Sequence, residues 1–161
     1  MRRKIMKKLV KLLLCMSLVL ALAGCGKEQK ATYKMEQEMM GINISDTQII
    51  TAKGDKVVRM EEVTEISMAG ASEEEMKMLA EQYDATYGPM KDKAPACVKM
   101  ECGLEGDVYK VTIDIDIENG DIKELNEKGF VYATSGDADK ALFISFKATC
   151  AGLENAGYTA Q

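Results

Sequence analysis

The chain has 161 residues, a formal charge of −5, 47% hydrophobic residues and only two prolines, the composition of a folded domain rather than a disordered or fibrous chain. It contains no histidine. That excludes Ser-His-Asp and Cys-His nucleophilic machinery and removes the commonest zinc ligand. No Walker pattern or GxGxxG fingerprint occurs either, so the sequence reads as a non-enzyme with no cofactor.

The first eleven residues carry six positive charges, from Arg2 to Lys11, and no negative one. An apolar run from Leu12 to Ala23 follows, broken only by Ser17. At about 12 residues it is shorter than the ~20 that span a bilayer as a helix. A basic start, a short apolar middle and small residues at the end make residues 1–24 a secretory signal peptide. Leu22-Ala23-Gly24-Cys25 resembles the bacterial lipobox, in which the cysteine sulfur receives a diacylglycerol and becomes the mature N-terminus. The resemblance implies lipidation at Cys25 with fatty chains such as palmitate, and an extracytoplasmic, membrane-anchored address. In an envelope with two membranes, Gly26 at the next position permits transfer to the outer one. Two or more buried chains, at ~0.8 kcal/mol per CH₂, hold a protein where one chain would not.

Removing residues 1–24 leaves 137 residues, and the loss of six basic side chains moves the formal charge to −11. An acidic body of that size argues against nucleic acid and against attachment to anionic lipid through its own surface. The membrane is then a partner through the lipid alone.

Residues 25–31 read as the lipidated cysteine and a short tether, and 32–161 as a single domain. From Thr32 the pattern alternates, with Tyr33, Met35, Gln37 and Met39 on one side of a strand. Ile42 to Ala52 resumes as a second strand, Gly54-Asp55 fits a tight turn, and Val57 to Met68 makes a third. The period then changes. Met76, Leu79, Ala80, Tyr83 and Tyr87 form a helical stripe, with Ser72 and Glu75 as a capping box and Gly88-Pro89 as the stop. Two further strands follow, one through Val98, Met100 and Cys102 and one through Tyr109, Val111, Ile113, Ile115 and Ile117, joined by a turn over 103–106. Asp121 caps a brief helix over 122–128, Phe130 to Thr134 reads as a short extended piece, and a last helix runs from about Ser145 to Asn155. The whole predicts an α+β fold: an antiparallel sheet of about five strands with helices packed on one face and solvent on the other.

Several of these stretches resemble the YehR family of small bacterial lipoproteins of uncharacterised function. They are the lipobox, Tyr33–Gln37 (YKMEQ), Lys53–Val57 (KGDKV), Glu65–Met68 (EISM) leading into the Ser72-capped helix, Tyr87-Gly88, and Gly152–Tyr158 (GLENAGY). The resemblance implies a compact α+β lipoprotein domain and assigns no chemistry.

Three cysteines remain in the mature chain, Cys97, Cys102 and Cys150. Outside the cytoplasm a disulfide is permitted, and a Cys97–Cys150 bridge is one reading. Three unpaired cysteines packing as small hydrophobes is the other. Asp114, Asp116 and Glu118 match the first ligands of an EF-hand loop, but Asn119 stands where glycine is needed and Leu125 where glutamate is needed. Met39-Met40 and Met76-x-Met78 carry soft thioethers suited to Cu(I), without a dense cluster around them. The functional expectation is a lipid-anchored binding or interaction module for an envelope component or small ligand. A structural envelope protein without ligand is the alternative, and a metal-handling surface protein a weaker one.

Overall fold

The computed structural model describes residues 27–131 and 143–161. Its elements are β1 (Glu28–Met39), β2 (Ile42–Lys53), β3 (Lys56–Met68), α1 (Glu73–Asp92), β4 (Val98–Glu105), β5 (Val108–Asp116), α2 (Ile122–Glu127), α3 (Phe146–Asn155) and β6 (Thr159–Ala160). The strands form one sheet in the order β4-β5-β3-β2-β1-β6, antiparallel at every pairing. The fold is α+β as the sequence predicts, with six strands rather than about five. The sixth, β6, pairs only Thr159 and Ala160 with Lys34 and Tyr33. Two residues are too few to display an alternating pattern.

Strand alternation decides which face is covered. Tyr109, Val111, Ile113 and Ile115 of β5 stand opposite Ile66, Thr64, Glu62 and Met60 of β3, which stand opposite Ile44, Asp46, Gln48 and Ile50 of β2. Directly opposed residues share a face, so these twelve side chains form one surface. Helix α1 lays Met76, Leu79 and Ala80 onto it, joining Ile50, Val57, Ile66, Met100, Tyr109 and Val111 in the core. Each fully buried aliphatic or aromatic side chain contributes roughly 1.5–3 kcal/mol. Helix α3 lies over the β1 side of the same face, where Tyr33 donates to Glu154 at 3.1 Å.

The caps at Ser72 and Asp121 are those expected from the sequence, and the structure adds one at Ser145. Ser72 and Glu75 form the reciprocal capping box, Asp121 accepts from the backbone of Lys123 and Glu124, and Ser145 accepts from Ala148. Three boundaries differ from the expectations above. Helix α1 runs through Gly88-Pro89 to Asp92. Gly88 has no Cβ to crowd the proline ring, and Met90 beyond it packs against the core, so the last turn persists. Strand β4 continues through Gly103 and Leu104 to Glu105, with the turn at Gly106, where φ is +66°. Strand β1 begins at Glu28, opposite Lys53, so residues 28–31 belong to the sheet and not to a tether. Only Gly26 and Lys27 then separate Cys25 from the first strand residue. Of the expected extended piece over 130–134, Phe130 and Val131 are described and carry no strand, while 132–134 lie outside the described residues.

Candidate functional site

Two polar surfaces are built by this sheet. The first is the open face, which bears no helix. On its strands β1, β2, β3 and β5 present Lys30, Thr51, Arg59, Glu61 and Asp114, the alternate residues to those in the core. Arg59 makes a two-pronged contact with Asp114, Nε to Oδ1 at 2.8 Å and Nη2 to Oδ2 at 2.6 Å, and reaches Glu61 at 3.5 Å. Lys53 donates to both oxygens of Glu118 at 2.7 and 2.8 Å, and Lys30 approaches Glu61 at 3.9 Å. These pairs are solvent-screened, so they add little to stability. Together they border a groove of about 550 Å³ that also takes in Glu28, Lys99 and Asp116. It is concave, lined by both signs of charge, and bordered by Glu28 at the start of β1, three residues from Cys25.

The second surface lies on the covered face, in the seam between α1 and the α3–β6 segment. Asp46 and Gln48 of β2 and Thr64 of β3 are buried there among apolar neighbours. Glu62 of β3, half-buried, stands opposite Gln48. Asp46 Oδ2 accepts from Gln48 Nε2 at 3.4 Å and from the Tyr158 hydroxyl, and Asp46 Oδ1 lies 3.4 Å from Thr64 Oγ1. The same threonine oxygen lies 3.3 Å from Glu62 Oε1. Burial raises the Glu62 carboxyl above its ordinary range, partly offset by a hydrogen bond from Gln48, and the neighbouring Asp46 charge raises it further. Burial also raises Tyr158 and Tyr87, the first aided by its bond to Asp46 and the second by the charge of Glu62. Every fully buried polar side-chain atom among the described residues has a partner. A saturated network of this kind specifies how elements dock.

The candidates expected from the sequence fall elsewhere. The signal peptide over 1–24 and the lipidation site Cys25 lie outside the described residues. Cys97, Cys102 and Cys150 are all free, so the Cys97–Cys150 bridge is not formed. Cys97 immediately precedes β4, beside Gly120 and Leu125, while Cys150 sits in α3 near Tyr33 of β1. β4 and β1 are four strand positions apart in the sheet, about 19 Å at the usual spacing, far beyond the ~7 Å Cα limit for a disulfide. Of the EF-hand candidates, Asp114 is engaged by Arg59, and Asp116 accepts from Asn119 at 2.8 and 3.2 Å, closing the turn. Met76 packs in the core, whereas Met39, Met40 and Met78 are exposed. Among the described residues no group of three or more histidine, cysteine, aspartate or glutamate side chains could hold a metal ion. No described helix is long and apolar enough to cross a membrane.

The seam is not among the sites read from the sequence, although a signal for it exists there. Asp46 and Gln48 fall in phase with Ile44 and Ile50, and Glu62 and Thr64 with Met60 and Ile66. Polar pairs interrupting the apolar phase of two consecutive strands mark a buried polar layer.

Comparison with known proteins supports the family resemblance. No protein-family model matches the chain. It is 28% identical over 145 residues to the uncharacterized lipoprotein YehR of Escherichia coli K12, covering 88% of this chain and 90% of that protein. The NMR structure of E. coli YehR superposes with a TM-score of 0.56 at 23% identity, covering 84% of this chain and 91% of that one. An NMR structure of a protein from Streptococcus pneumoniae TIGR4 gives 0.50 at 16% identity, covering 89% and 90%. These structures show a shared fold.

Proposed function

We propose that this YehR-like chain is a lipid-anchored binding module on the extracytoplasmic side of the bacterial cell membrane, and that the groove on the open face receives its ligand. The lipobox and the lipoprotein relative support the anchor. The groove carries the binding reading: its charged side chains of both signs converge on one concavity rather than being scattered over a flat sheet. Such a lining suits a ligand that itself bears both signs, such as a peptide or a zwitterionic head group. Its pairs exchange partners at little cost because exposed ion pairs are weak. The reading is non-catalytic and requires no cofactor.

Two measurements test it. Replacement C25S is expected to move the processed protein from the membrane fraction to the soluble extracytoplasmic fraction; quantitative retention in the membrane overturns the anchor. NMR titration of the protein with short peptides and with phosphocholine is expected to shift resonances of Arg59, Asp114, Lys53 and Glu118. A lack of response to both probes favours a structural envelope protein without ligand.

A further inference from the structure

We propose that the C-terminal segment is a proton-held clasp, in which Glu62 hydrogen-bonds as a neutral acid to Thr64 and thereby lets Asp46 keep Tyr158 docked on the sheet. The geometry sets a proton count. Thr64 has one hydroxyl hydrogen, yet its oxygen lies 3.3 Å from Glu62 Oε1 and 3.4 Å from Asp46 Oδ1. With both carboxylates ionised, that hydrogen serves one of them and the other approach sets acceptor against acceptor. One added proton on Glu62 resolves the conflict. Glu62 then donates to Thr64, Thr64 donates to Asp46, and Asp46 remains the acceptor for Gln48 and Tyr158. Glu62 is the member that takes the proton because burial raises its carboxyl, whereas Asp46 Oδ2 has Gln48 and Tyr158 as donors independent of Thr64.

Burial is the largest influence on Glu62 and raises it; the hydrogen bonds from Gln48 and Thr64 oppose the rise, and the charged and titratable groups facing it add to it. Asp46 approaches from β2, Tyr87 from α1 and Tyr158 from the C-terminal segment, and no cation is among the groups that move its titration. The β5 residue opposite is Ile113. Opening the segment would admit water to the seam and return Glu62 toward its ordinary range. By linkage, a carboxyl raised in the closed form stabilises closure fully below its ordinary range, and that contribution is lost as pH rises through the raised value. The clasp is therefore tighter in mild acid and looser in mild alkali. Besides Tyr158, the segment is held by β6, where Gln161 N–H donates to Thr32 at 2.9 Å and Thr159 Oγ1 donates to the Lys34 carbonyl at 3.1 Å. Release uncovers the β1 backbone around Tyr33 and Lys34.

The test is amide hydrogen exchange of Gln161 in the full chain, corrected for the intrinsic pH dependence of exchange. Protection is expected to fall on the order of tenfold for each unit by which the closed and open Glu62 titrations differ. In E62Q the amide N–H₂ donates to Thr64 at every pH, so protection should be high and independent of pH. Equal pH dependence in E62Q and wild type overturns the proposal. Carboxyl ¹³C titration of wild-type Glu62 guards against a poorly folded variant, since titration in the ordinary glutamate range overturns the proposal by itself.

Discussion

Tyr109 of β5 donates a 2.6 Å hydrogen bond to Asp84 of α1, and its ring, fully buried, stacks on Tyr83 of the same helix at 5.4 Å between centroids. One side chain thus fixes both the height and the rotation of α1 over the sheet. Tyr83 in turn stacks on Tyr87 at 6.2 Å, which carries the register on to the seam. Y109F should cost about 1–2 kcal/mol, near the lower range for a bond to a charged group, because Asp84 is exposed and water replaces the lost donor. Y109A should cost about 3–5 kcal/mol through the cavity it leaves. Urea unfolding of the two variants measures both values, and a Phe variant as unstable as Ala would show that the hydroxyl dominates.

Asp55, in the turn between β2 and β3, reaches the N-terminus of α3. It accepts from the Lys147 backbone and from the Ser145 hydroxyl, each at 2.9 Å. The Lys147 N–H holds its carboxyl below the ordinary range against the opposing effect of burial, with help from the Ser145 hydroxyl and the Lys147 charge. A depressed carboxyl contributes stability above its ordinary range and loses it as pH falls through the folded value. D55A should cost about 1 kcal/mol, the usual value of a lost cap. It should also flatten the acid limb of the stability curve, as thermal melts across the acid range would show.

Gly120 owes its identity to space and not to a positive φ. A Cβ there would meet Cys97 Sγ at 2.9 Å, the Asp116 carbonyl at 3.0 Å and Leu125 Cδ1 at 3.1 Å. G120A should destabilise by about 1–3 kcal/mol, the range for overpacking. Adding C97A should recover only part of this, because the Asp116 carbonyl does not move aside. A double-mutant cycle by denaturant unfolding reads the coupling.

The β1–β2 turn places Met40 at φ +55° and Gly41 at +81°, the two-residue geometry that favours Asn-Gly. Met40 is 96% exposed, so its side chain contributes no packing. M40N should therefore stabilise the fold by roughly 0.5–1 kcal/mol by relieving left-handed strain, seen as a raised midpoint in urea with an unchanged slope.

Local chemistry was legible in the sequence because its causes are local. The β1–β3 meander, the Ser72–Glu75 box, the Asp121 cap and the apolar phase of β5 depend on spacings of a few residues, and the structure forms each of them. The lipobox-like stretch Leu22–Cys25 is also contiguous, but it lies outside the described residues, and the anchor it implies belongs to the proposal above. Tertiary structure alone decided what depends on residues far apart in the chain. It set β5 beside β3, leaving β4 at one edge of the sheet and β1 near the other, which separates Cys97 from Cys150. It brought Tyr158 onto Asp46, 112 residues away, and so turned four polar residues of two strands into a seam. No periodicity encodes such meetings, since they arise from how whole elements bury their apolar faces against one another.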